Sequence, residues 1–122
     1  RVAGTDSSDG LLSAVAAIAR ASGCQATLER GQLPLDPTMA RLSDGLAWCL
    51  DGGEDFELVL ALEAGWAEAL QARVPESRLI GALTPAGSAA APLTWMEDGT
   101  PIEADHRGYT HFRSPEASTA IP

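Results

Sequence analysis

Three short segments of this 122-residue chain concentrate residue types that can handle a cation and an anion together. The first is Gly4-Thr5-Asp6-Ser7-Ser8-Asp9-Gly10-Leu11, where Asp6 and Asp9 stand just ahead of an apolar run with helical spacing. Carboxylates at such a place can offer oxygen ligands to a hard cation, while free amides at a helix start face an anion. The same residues also have a purely structural use. Asp6, Ser7 and Ser8 are competent N-caps and Asp9 opposes the helix dipole, together worth about 1 kcal/mol. Spacing alone favours the structural use.

The second segment is Asp51-Gly52-Gly53-Glu54-Asp55-Phe56-Glu57. Adjacent glycines let a backbone approach a ligand closely, and acids at a strand edge can meet a metal or a ribose hydroxyl. A tight helix-to-strand turn with solvated acids is at least as good a reading. In the third, Arg107-Gly108-Tyr109-Thr110-His111-Phe112, aromatic faces could stack on a heterocycle, although such segments more often dock as packing. Neither His106 nor His111 has a partner at ligand spacing, which argues against zinc. The chain has no Walker or Rossmann phosphate loop and no nucleophile elbow.

The elements that must position these segments follow from periodicity. Leu11, Val15 and Ile18, backed by Leu12, Ala16 and Ala19, predict an amphipathic helix from Ser8 onward, with Gly23 as a left-handed C-cap. Cys24, Ala26 and Leu28 alternate with polar neighbours as a strand does. Asp36 and Pro37 predict a capped short helix through Leu42, and Leu46 to Leu50 a second one, stopped by Gly52 and Gly53. Phe56 to Leu62 reads as a strand central in a sheet. Trp66, Leu70 and Val74 mark a helix closed by Pro75, and Leu79 to Leu83 another strand. After a loop from Thr84 to Pro92, Leu93 to Met96 and Thr100 to Ile102 predict a hairpin around Glu97-Asp98-Gly99, and the residues after Phe112 a frayed tail. Interleaved strands and helices define an α/β or α+β domain, a mixed sheet with helices packed on it.

Composition narrows the partners. Eight basic against seventeen acidic side chains give a net charge of −9, which disfavours nucleic acid and anionic membranes. Magnesium and backbone amides could still hold a phosphate. Cys24 and Cys49 are expected to be buried reduced thiols, in keeping with a cytoplasmic protein. No apolar stretch approaches the roughly 20 residues of a membrane span. The chain opens on Arg1 rather than Met and runs at once into its first motif, so a missing N-terminal partner domain is expected.

Taken together and in order, the three segments resemble the C-terminal domain of the thiamine-monophosphate kinase family. Asp6-Ser7-Ser8-Asp9-Gly10-Leu11 is similar to its D-x-S-D-G-L motif, and Gly52 to Leu58 to its G-G-E-D-[YF]-E-L motif. Gly108 to Phe112 is similar to its closing G-[WY]-[DE]-H-F, with Thr110 in place of the acid and Ser7 in place of a usual apolar residue. The resemblance implies a mixed sheet flanked by helices, similar to the C-terminal domain of aminoimidazole ribonucleotide synthetase; selenophosphate synthetase shares this superfamily. It further implies magnesium-dependent transfer of the ATP γ-phosphoryl group to thiamine monophosphate, giving thiamine diphosphate. By the same resemblance Asp9, with Asp6 as a second candidate, would ligate magnesium, Ser8 would sit beside the nucleotide, and Glu54, Asp55 and Tyr109 would meet substrate. Residues 1–112 would form the domain and 113–122 a flexible tail. The absent N-terminal domain would carry most of the ATP site and the homodimer interface, leaving this chain inactive alone. Another ATP-using member of the superfamily and a non-catalytic ligand-binding module are the alternatives.

Overall fold

The structure is a computed structural model and describes residues 1–88 and 93–102. Its strands are β1 (Val2–Asp6), β2 (Cys24–Leu28), β3 (Leu58–Leu62), β4 (Gly81–Pro85) and β5 (Leu93–Trp95). The helices are α1 (Leu11–Ala21), α2 (Gly45–Asp51) and α3 (Ala64–Arg73), with single 3-10 turns at Arg30–Gln32 and Met39–Arg41. Antiparallel β1 and β3 form a two-stranded ribbon, while β4-β2-β5 is a mixed sheet in which β2 and β5 run parallel. Mixed pairing with flanking helices is the α+β arrangement expected, with the described strands shared between two sheets.

Helix α1 joins the two. Its apolar stripe, Leu11, Leu12, Val15, Ala16 and Ala19, packs with Ala26 and Leu28 of β2, Leu93 of β5 and Leu50 of α2. The ribbon adds Val59 to the edge of this core. Because i, i+4 spacing puts these side chains on one face, one helix can cover both sheets. Gly23 follows the helix at φ 64°, the left-handed C-terminal position foreseen from its type. The hairpin also forms: the Trp95 amide donates to the Thr100 carbonyl at 2.9 Å and the Ile102 amide to the Leu93 carbonyl at 3.1 Å.

Several expectations need correction. Helix α1 starts at Leu11 rather than Ser8, and its N-cap is Gly10, which has no side chain to cap with. Asp6, Ser7 and Ser8 therefore do not cap it. Asp6 instead ends β1, a strand whose mixed apolar and polar residues give little periodic signal. The β3 strand is not central: it pairs with β1 alone among the described residues, and its outward Leu58 is 70% exposed. Helix α3 likewise buries none of its residues, Trp66 included. The helix expected from Pro37 shortens to a 3-10 turn, Met39–Arg41, preceded by the Asp36 carboxylate accepting from the Thr38 amide at 2.7 Å. Both cysteines are half-buried free thiols rather than core residues. The end of the Thr84 to Pro92 loop and the tail lie outside the described residues.

Asp36 is one of three aspartates in the same local device. Asp6 accepts from the Ser8 amide at 3.0 Å and Asp98 from the Thr100 amide at 2.9 Å, so each Asp-x-Ser/Thr step forms an Asx turn. Bonds to the charged form hold all three carboxyls below their ordinary value of 3.8, through the Ser8 hydroxyl and amide for Asp6, and through the Thr38 and Thr100 amides for Asp36 and Asp98. A pKa lowered by folding contributes stability above the unfolded value and loses it as pH falls through the folded one. Urea unfolding midpoints should therefore be flat between about pH 5 and 7 and fall as the pH drops through 3.8 and below; replacing all three aspartates with Asn should flatten that fall. At constant pH, Leu12→Ala should lower unfolding free energy by about 2–5 kcal/mol, because Leu12 lies fully inside the core.

Candidate functional site

The two acidic segments are laced together by backbone and hydroxyl bonds. The β1–β3 register pairs Asp6 with Leu58, and one step further the Ser7 amide donates to the Glu57 carbonyl at 2.9 Å. The Ser7 hydroxyl then bridges two groups on the facing segment, donating to the Asp55 carbonyl at 2.5 Å and accepting from the Glu57 amide at 3.2 Å. A residue later, the Ser8 carbonyl accepts from the Glu54 amide at 2.8 Å. The first segment finally turns into α1 as the Gly10 amide donates to the Ser7 carbonyl at 2.8 Å.

Gly10 is required at that turn for two reasons. Its φ is 101°, and a Cβ there would lie 3.2 Å from both the Asp51 Cα and the Leu50 carbonyl oxygen. The close approach sets the start of α1 against the end of α2, so the Gly52-Gly53 stretch begins one residue beyond the contact with Gly10. Glu54 follows with φ 68°, a left-handed conformation that a residue with a Cβ adopts only where its surroundings hold it.

The structure thus brings Asp6, Ser8, Asp9, Glu54 and Asp55 into two adjoining strips of chain. The four carboxylate residues are exposed and Ser8 is half-buried. The charge of Asp55 reaches back to α2: burial first, and then Asp55, push the Cys49 thiol above its ordinary value. Tyr109 lies outside the described residues. Two features were not foreseen. Ser7 looks in sequence like one more polar turn residue, and only its opposition to Asp55–Glu57 gives it a task. The Glu54 conformation carries no compositional signal, since Gly or Asn would be the usual marker.

Carboxylate oxygens are the donors that a hard cation such as magnesium takes. Among the described residues, however, no three His, Cys, Asp or Glu side chains come together closely enough to hold an ion alone. A cation beside these residues would need further ligands, such as the phosphate oxygens and water that magnesium usually takes. A surface groove of about 640 Å³, lined by Glu29, Gln32, Gln71 and Arg78 among others, includes none of these residues. Among the described residues no helix is long and apolar enough to cross a membrane.

No family model matches the chain. Individual proteins do. A thiamine-monophosphate kinase of Synechococcus elongatus is 45% identical over 114 residues, 92% of this chain and 33% of that protein. One from Prochlorococcus marinus is 36% identical over 110 residues, 90% and 32% of the two chains, and one from Salmonella typhimurium 37% identical over 119 residues, 93% and 36%. The crystal structure of thiamine-monophosphate kinase from Stenotrophomonas maltophilia K279a superposes with a TM-score of 0.65 at 27% identity, covering 82% of this chain and 32% of that one. With its α+β fold and laced acidic segments, the chain is related to kinases of small molecules. More narrowly, it is homologous to the thiamine-monophosphate kinases, and it spans about a third of the length of the curated relatives it matches.

The Ser8 hydroxyl is the largest influence holding the Asp6 carboxyl low, ahead of the Ser8 amide. Ser8→Ala should accordingly raise the Asp6 midpoint toward 3.8 without reaching it, as read by carboxyl NMR titration.

Proposed function

We propose that the chain is the C-terminal portion of a two-domain, magnesium-dependent kinase that transfers the ATP γ-phosphoryl group to thiamine monophosphate. The carrying observation is the lacing of Asp6–Gly10 to Glu54–Glu57, which sets Asp9 beside the Glu54–Asp55 turn. Homology to thiamine-monophosphate kinases over some nine-tenths of the chain supports this choice of substrate and reaction. Residues 1–112 are assigned to this C-terminal domain. The exposed apolar side chains of Phe56 and Leu58, next to the acidic rim, suit a piece that meets another domain. That domain supplies most of the ATP site and pairs two copies in a cytoplasmic homodimer.

In the transfer, an anionic phosphate oxygen of thiamine monophosphate attacks Pγ, the bond from Pγ to the β,γ-bridging oxygen breaks, and ADP leaves with that electron pair. The nucleophile already carries negative charge, so no protein base is needed. Catalysis then rests on bringing two anions together and offsetting their repulsion. Asp9, with Asp6 as a second candidate, would hold magnesium, which would supply charge neutralisation. Ser8 lies by the nucleotide phosphates, while Glu54, Asp55 and Tyr109 contact thiamine monophosphate, the carboxylates suiting its cationic thiazolium ring.

The test uses the protein of full relative length. Asp9→Ala should reduce ATP-dependent formation of thiamine diphosphate by about 100-fold or more at saturating magnesium, with secondary structure retained. Residues 1–122 alone should show no turnover with thiamine monophosphate, ATP and magnesium. Full activity of the Asp9 variant would leave a ligand-binding module as the better reading. Thermal stabilisation by an aminoimidazole ribonucleotide precursor or selenide, and not by thiamine monophosphate, would point to another superfamily member.

A further inference from the structure

Among the described residues, Ser7 is the one polar side chain buried, at 4% exposure, and nothing in the proposed transfer gives it a ligand. Its hydroxyl serves the backbone on the facing segment instead. The Asp55 carbonyl and the Glu57 amide flank Phe56 just before β3 begins, where the ladder to β1 has run out. One hydroxyl satisfies both, which an apolar side chain of similar size cannot do. Both bonds are partly buried, although Asp55, Phe56 and Glu57 are exposed.

Immediately upstream, Glu54 holds its left-handed φ of 68°. Such a conformation relaxes unless neighbouring bonds fix it, and the bonds doing so are the Ser8 carbonyl to the Glu54 amide at 2.8 Å and the Ser7 bridge on the other side of Asp55. On the opposite strip, the Ser7 carbonyl accepts from the Gly10 amide and so closes the turn that carries Asp9. Ser7 is therefore bonded to both turns at once.

We propose that Ser7 is a positioning residue for the transfer site, its hydroxyl fixing the Glu54–Asp55 turn against Asp9 so that both strips meet one cation–phosphate unit. The inference rests on the function proposed above. Without the hydroxyl, Glu54 returns to negative φ and its strip parts from Asp9, while the core beneath α1 stays formed.

The full-length protein carrying Ser7→Ala, Ser7→Thr, Ser7→Cys, Asp9→Ala or Asp98→Ala provides the test. Manganese(II) is the probe, read by paramagnetic broadening of the Asp9, Glu54 and Asp55 amides, and the amide–Hα coupling of Glu54 reports its φ. Ser7→Ala should raise the manganese concentration for half-maximal broadening by about 10-fold, with the loss of the two bonds its hydroxyl makes, and should abolish the left-handed coupling. Half-maximal magnesium for turnover should rise in parallel. Ser7→Thr, which keeps the hydroxyl, should restore all three readouts. Asp98→Ala, which breaks a remote Asx turn, should lower the melting temperature and move none of them. If Ser7→Ala does not fold, Ser7→Cys, with its longer and weaker donor, should shift manganese binding in the same direction. Unchanged manganese broadening and Glu54 coupling in the folded Ser7 variants, whatever their melting temperatures, would overturn the positioning role. The proposed transfer itself fails separately, if Asp9→Ala leaves broadening and turnover at wild-type levels.

Discussion

A hydrogen-bond ladder that continues beyond its strand underlies the rest of this structure. Regular β1–β3 pairing ends at Asp6 and Leu58, but the Ser7 amide, the Ser7 hydroxyl and the Ser8 carbonyl carry the pairing on to Glu57, Asp55 and Glu54. A glycine at position 10 then allows the chain to pass close over the end of α2 and enter α1. Since α1 supplies the apolar stripe that both sheets share, core and acidic rim are built outward from the same few residues. A change in that turn reaches both packing and chemistry.

The core was legible in sequence because its signals are local and strong. The Leu11 to Ala19 stripe, the alternation in Cys24 to Leu28, the Gly23 cap and the Glu97-Asp98-Gly99 turn each follow from side-chain periodicity or backbone conformation within a few residues. What was misread depended on distant partners. Val2 to Asp6 becomes a strand only because Leu58 to Leu62 lies beside it, and Phe56 to Leu62 looked central because apolar content does not report how many neighbours a strand has. Asp6 and Asp36 looked like helix caps, since an Asx turn and an N-cap use the same residue types.

The candidate site divides in the same way. Asp6, Ser8, Asp9, Glu54 and Asp55 could be singled out by type and by family resemblance, and the fold brings their two segments together. Their mutual geometry could not be foreseen. It includes a buried serine bonded to the facing segment and a glutamate in a conformation that glycine would adopt more cheaply. The carboxylates do not close around a cation by themselves. A surface of that kind suits a reaction whose own phosphates bring much of the ligand set.

The ribbon has a consequence for how the polypeptide behaves among its own kind. Among the described residues β3 pairs on one edge only, and its exposed Leu58 and Leu60 offer an apolar strand to any neighbour able to extend it. The net charge of −9 opposes such encounters, but like-charge repulsion is screened within about 8 Å at physiological ionic strength. Colloidal stability of the isolated polypeptide is thus set by a contest between a sticky ribbon and an acidic shell, and added salt weakens only the shell.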